Sequence, residues 1–141
     1  MVSGLLILCA GTLESSLVRA DPSDEKTWKI INYWSKTCAP CRVEIPELNF
    51  LSQELAAFNV VVWGVNFDED APDVTTEIAE RMGIEFPTLS MDKVETLHLV
   101  APSVLPTTYI LSPEDEVKAK LIGAQDRHTI KAKLAELFEG G

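Results

Sequence analysis

Cys38 and Cys41 stand three positions apart within "SKTCAPCRVEIPEL", residues 35–48, with Pro40 between them and Pro46 five residues after the second cysteine. Three chemistries suit such a pair: dithiol–disulfide exchange, half of a metal site, or a plain structural bridge. A structural zinc site needs four ligands. Beyond the pair the chain offers only Cys9, His98 and His128, none at ligand spacing. A bridge closing so small a loop removes little chain entropy. Exchange needs an attacking thiolate and a second sulfur within reach. Three residues of spacing around the first turn of a helix supply that second sulfur. The pair therefore reads as a redox dithiol.

The flanking elements must position it. "WKIINYW" (28–34) is rich in β-branched and aromatic residues and reads as a buried strand. A helical pattern runs from about Ala39 to Ala57, with Ile45, Leu48, Leu51, Leu55 and Phe58 near one face. "VVVWGVNF" (60–67) is nearly unbroken apolar sequence, as a central strand covered on both sides should be. Strand, helix and strand make a right-handed βαβ unit with parallel strands. Cys38 then follows the first strand, and Cys41 falls in the first helical turn. The partial positive charge and free N–H groups there lower the first thiol's pKa. Pro40 restricts the loop and fits an early helix position.

Downstream, Pro72 and Asp73 open a helix that Gly83 stops, with Ile78 and Met82 inward. "FPTLSM" is a short extended piece, "DKVETLHLV" a short helix, and "LPTTYIL" (105–111) a strand opened by a proline. "SPEDE" reads as a turn. "VKAKLI" reads as a half-exposed antiparallel strand with Val117, Ala119 and Leu121 inward. Asp126 caps a final helix with Ile130, Leu134 and Leu137 as its stripe, ended by two glycines. The order is βαβ, a helical crossover, then ββα. It gives an α/β fold with one mixed, thioredoxin-like sheet and helices on both faces.

The chain has 141 residues and a net charge of −10 from 22 acidic and 12 basic side chains. Residues 21–141 are expected to form a single domain. The acidity argues against nucleic acid. Its densest patch, Asp68, Glu69, Asp70 and Asp73, reads as a solvated loop. Residues 1–20 carry an apolar run, Leu5 to Leu13, too short to span a bilayer. It fits a signal segment cut ahead of Asp21 or an opening strand, and the sequence leaves both open. A retained Cys9 would be a small buried hydrophobe.

"NYWSKTCAPCRVEIPEL" followed by "VLPTTYILSPEDEV" resembles the TlpA/ResA-type thiol-disulfide oxidoreductases of the thioredoxin superfamily over roughly residues 28–138. The resemblance implies Cys38 as exposed nucleophile, Cys41 as buried resolving cysteine and Trp34 as the aromatic beside the active-site loop. It implies Pro46 as a helix-kinking proline and Pro106 as a cis-proline facing the cysteines. Such a proline turns the backbone of Leu105 outward, where its N–H and C=O can pair with an extended substrate. With Trp34 and Pro40, Leu105 and Pro106 form the expected substrate-binding set. Cytosolic thioredoxins carry a titrating acid where this chain has Asn32, and a second tryptophan where it has Thr37. The resemblance passes the proton duty to Glu44, three residues past Cys41 on the same helix side. Lys36 and Arg42 could help stabilise the thiolate, although solvated surface charge suits both.

The expected activity is reduction of protein disulfides by a CxxC dithiol, with no dissociable cofactor and no metal. The family context implies a periplasmic or membrane-facing extracytoplasmic monomer. It would be recharged by a membrane donor of the DsbD or CcdA type, with apocytochrome c as one client; a cytoplasmic setting stays open. The competing readings are a copper metallochaperone using the same two sulfurs and a thiol peroxidase.

Overall fold

A computed structural model describes residues 27–140. The readings placed on residues 1–20, on Cys9, on the acidic stretch before Trp28 and on the last glycine lie outside the described residues. Four strands, β1 (Trp28–Trp34), β2 (Val60–Asn66), β3 (Thr107–Leu111) and β4 (Val117–Ile122), form one sheet in the order β2-β1-β3-β4. The helices are α1 (Ala39–Glu54), α2 (Pro72–Arg81), α3 (Met91–Thr96) and α4 (Arg127–Glu139). β1 and β2 run parallel from Trp28 opposite Val60 to Trp34 opposite Asn66. β3 runs antiparallel to both β1 and β4.

Strand alternation divides the apolar residues between two faces. Ile30 and Trp34 point with Ile110 toward Leu48 and Leu51 of α1 and Ile130 of α4. Ile31, Tyr33 and Leu111 point the other way, toward Trp63, Val94 and Leu97. Both faces of β1 and β3 are covered, so all five residues of β3 are buried. That double coverage explains why "WKIINYW" and "TTYIL" show no polar alternation. Lys29 and Asn32 are the polar exceptions on β1, and Lys29 is the charged one. Its ammonium is buried but reaches Asp115 at 2.6 Å and the Thr27 carbonyl at 3.1 Å.

Three local expectations fail for identifiable reasons. α1 stops at Glu54, and Leu55–Phe58 tighten into a 3-10 turn before Asn59 takes φ 56° to enter β2. Phe58 thereby leaves the apolar face and is 68% exposed. A register irregularity at Ile110/Leu111 disturbs the start of edge strand β4, and Val117 is half exposed rather than inward. Ala119 and Leu121 do pack against the core. His98 lies past the end of α3 with φ 52°, outside the helix that the sequence pattern predicts for it.

Candidate active site

β1 delivers the chain to the site. Its last residue, Trp34, is followed by a turn through Ser35 and Lys36, closed by the Cys38 N–H donating to the Ser35 carbonyl at 3.1 Å. Cys38 is the N-cap of α1, and its sulfur accepts from the Cys41 N–H at 3.3 Å. Pro40 occupies the first turn, where a missing N–H costs nothing, and the turn holds no acidic residue. The free N–H groups and partial positive charge therefore fall on the Cys38 sulfur, conditions that favour its thiolate in the reduced state.

Cys38 and Cys41 are joined, with sulfurs 2.07 Å and Cα atoms 5.3 Å apart. Their exposure is unequal. Cys38 is partly exposed, while Cys41 is 1% exposed and packs in the core. Pro46 lies inside α1 and, lacking an N–H, leaves the Arg42 carbonyl without its helical donor just past the pair.

Glu44 is 1% exposed, on the inner face of α1 with Cys41 and Ile45. One carboxylate oxygen accepts from the Asn32 amide on β1, and the other from the Gln125 N–H in the loop before α4. Asn32 also donates to Thr108 Oγ1 at 3.0 Å, so the cluster joins α1, β1 and β3. Burial raises the Glu44 pKa to about 7 against the lowering effect of both hydrogen bonds. Desolvation wins because removing a carboxylate from water costs more than two neutral donors return.

Across the sheet end, Tyr33 stands opposite Thr107. Pro106 is thus brought level with Trp34, at the edge where the cysteine loop begins. The Leu105–Pro106 peptide is cis. The Pro106 carbonyl accepts from the Gly123 N–H at 2.8 Å. Among the described residues, the N–H and C=O of Leu105 make no backbone hydrogen bond. Leu105 is partly exposed, whereas Pro106 is buried.

Trp34 corrects an expectation. It lies beneath the loop but is fully buried, so its side chain offers no surface to a substrate. Its indole is part of the packing under the dithiol instead. A Cβ at Gly64 would stand 2.7 Å from its indole nitrogen and 3.0 Å from Phe86, so a glycine is required there.

The acidic patch after β2 is more than solvated charge. Asp68 accepts from Ser35 Oγ at 2.8 Å and from the Lys36 N–H at 3.2 Å. Asp70 pairs with the Lys36 ammonium at 2.9 Å and accepts from Asn66 at 3.1 Å, and the two partners hold its carboxyl below the usual range. Two acids thus fasten the segment leading into Cys38. The parallel β1–β2 register held the clue, since it puts the residues after Asn66 beside those after Trp34. Gln125 had no sequence signal, because it acts through its backbone.

The sheet order and the dithiol at its strand–helix junction define the class: a thioredoxin-like fold with a CxxC pair. The AhpC/TSA family model matches residues 12–120, and the chain belongs to that family. It is 29% identical over 128 residues to the thiol:disulfide interchange protein HelX of Rhodobacter capsulatus, covering 90% of this chain and 69% of that one. It is 32% identical over 110 residues to the thiol-disulfide oxidoreductase ResA of Geobacillus kaustophilus, covering 76% and 61%. This chain is therefore similar to curated relatives of which it spans 61% to 69% of the length. Among solved structures, a secreted thiol-disulfide isomerase from Corynebacterium glutamicum superposes with a TM-score of 0.62 at 26% identity, over 77% of this chain and 69% of that one.

Proposed function

We propose that this protein reduces disulfides of client proteins, with Cys38 as nucleophile and Cys41 as resolving thiol. The observation that carries the reading is the unequal burial of the two joined cysteines at the head of α1. In the reduced protein, the Cys38 thiolate attacks one client sulfur. An S–S bond forms between them, the client's own S–S bond breaks, and its second sulfur leaves as a thiolate that takes up a proton. Cys41 then loses its proton and attacks the Cys38 sulfur. The Cys38–Cys41 bond forms and the first client sulfur departs as a thiolate. Two electrons have moved from dithiol to client.

Glu44 is the base we assign to Cys41. It lies three residues along the same buried helix face, and with a pKa of about 7 both of its forms are populated near neutrality. Asn32 cannot titrate; it orients the Glu44 carboxylate by hydrogen bonding. The unpaired N–H and C=O of Leu105 support strand-like docking of an extended client segment beside Cys38.

The compartment, donor and client follow the family resemblance. We infer an oxidising extracytoplasmic space, a membrane electron donor of the DsbD or CcdA type, and apocytochrome c as one client. Among the described residues no helix is long and apolar enough to cross a membrane.

The test is the reduction potential of the Cys38/Cys41 couple, equilibrated against glutathione. A potential close to that of thioredoxin, roughly −270 mV, is expected for a reductase. One near roughly −120 mV, that of a strong periplasmic oxidant, would reverse the direction of electron flow.

A further inference from the structure

Three of the chain's 12 basic residues converge on one recess beside the dithiol loop, although the net charge is −10. The recess, about 270 Å³, is lined by Lys36, Arg42, Arg81, Ile78 and Met82. It is built from both sides of the cysteine pair. Lys36 lies two residues before Cys38, and Arg42 directly follows Cys41. Arg42 is held in place by donating to the Lys36 carbonyl at 3.1 Å. Arg81 and Met82 come from the end of α2.

Some of this charge is already paired. Lys36 is on Asp70, and Arg81 meets Glu77 at 3.2 Å with both side chains largely exposed. An exposed pair of that kind is weak and exchanges readily for another anion. Among the described residues, Arg42 has no carboxylate in ion-pair contact. A guanidinium offers a fork of donors matched to a carboxylate. Ile78 is buried and Met82 half-buried, so the recess also has an apolar side. Short apolar stem and anionic head together describe a glutamate or aspartate side chain, or the free carboxylate of a small peptide disulfide.

We propose that this recess is a substrate-recognition site for a carboxylate carried close to the disulfide being reduced. The proposal rests on the exchange reading above. It makes the enzyme select acidic flanks by local charge, although its overall charge repels them.

The test uses three short peptide disulfides alike except for a flanking Glu, Gln or Lys, with oxidised glutathione as a fourth substrate. The wild type should reduce the Glu peptide about tenfold faster in kcat/KM than the Gln peptide at low salt, with the advantage shrinking at high salt. Arg42→Gln combined with Arg81→Gln should bring the ratio of Glu-peptide to Gln-peptide rates down from about ten to about one, whatever its effect on the Gln rate itself. Arginine-dependent reduction of glutathione as well would show that free carboxylates are accepted, and dependence confined to the Glu peptide would identify a protein side chain. Equal wild-type rates for Glu and Gln peptides, or equal slowing of both in the variant, would overturn the proposal. If no peptide is reduced at all, the exchange reading fails and the recess is judged separately. The Glu peptide with serines for its cysteines is titrated into the oxidised protein and amide shifts are followed. Shifts at Arg42 and Arg81 that the Gln peptide does not produce are expected, and their absence would sink the site.

Discussion

The Asn32 amide on β1 donates to the Glu44 carboxylate on α1, one turn of helix beyond Cys41. A non-titrating strand residue thus holds a titrating helix residue at the buried end of the dithiol. Both Glu44 oxygens accept, yet burial still brings the pKa to about 7. The acid is structurally tethered and energetically reluctant to ionise.

That reluctance sets a pH dependence. The unfolded Glu44 titrates near 4.5 and the folded one near 7. Below the lower value both states are protonated and stability is full. Between the two, only the unfolded chain releases its proton, so stability falls as pH rises, and the loss is complete above the upper value. With about 1.4 kcal/mol for each pH unit separating the two values, the ceiling is roughly 3 kcal/mol. Urea unfolding of oxidised wild type and Glu44→Gln at pH 5 and pH 8 checks this. The wild type should lose more stability over the interval, while Glu44→Gln carries a pH-independent penalty from setting its NH2 against a donor.

Asn32→Asp would place a second carboxylate in contact with the first. Two buried acids at hydrogen-bonding distance cannot both ionise, so the pair should retain one proton well above pH 7. Stability at pH 8 should fall by a further ~1–3 kcal/mol, with little change at pH 5. Carboxyl carbon shifts read by NMR across the titration would report the pair directly.

Gly64→Ala tests the packing under the loop. The added methyl would meet Trp34 at 2.7 Å and Phe86 at 3.0 Å, and both side chains are buried. Overpacking of this kind costs about 1–3 kcal/mol. Thermal unfolding should show the loss, and indole fluorescence should show Trp34 displaced.

Asp68→Ala removes the acceptor that Ser35 and Lys36 share. Stability should drop by about 1 kcal/mol. Hydrogen exchange should accelerate at the Lys36 amide and leave the β1 amides protected.

Much of this arrangement is legible in the residues, for physical reasons that differ by element. β1 and β2 are covered on both faces, and continuous apolar runs such as "VVVWGV" say so directly. The strand–CxxC–helix junction is readable because Pro40 and the apolar spacing after it fix where α1 starts. The role of the acidic loop is not, since composition reports charge and not the partner that a parallel register brings alongside. Trp34 falls beside the loop as its position implies, but its burial does not follow from the sequence: an aromatic at a strand's end can turn inward or outward. Gln125 is invisible because any residue other than proline could supply its N–H. Phe58 misleads because helical periodicity continues for one turn beyond the helix itself.

In the proposed exchange Cys38 attacks and Cys41 resolves. Mass spectrometry of single-cysteine variants mixed with a disulfide peptide addresses it most directly. Cys41→Ser should accumulate a covalent adduct through Cys38 that dithiothreitol releases, and Cys38→Ser should accumulate none. An adduct that forms through Cys41, or equally through either cysteine, would contradict the account.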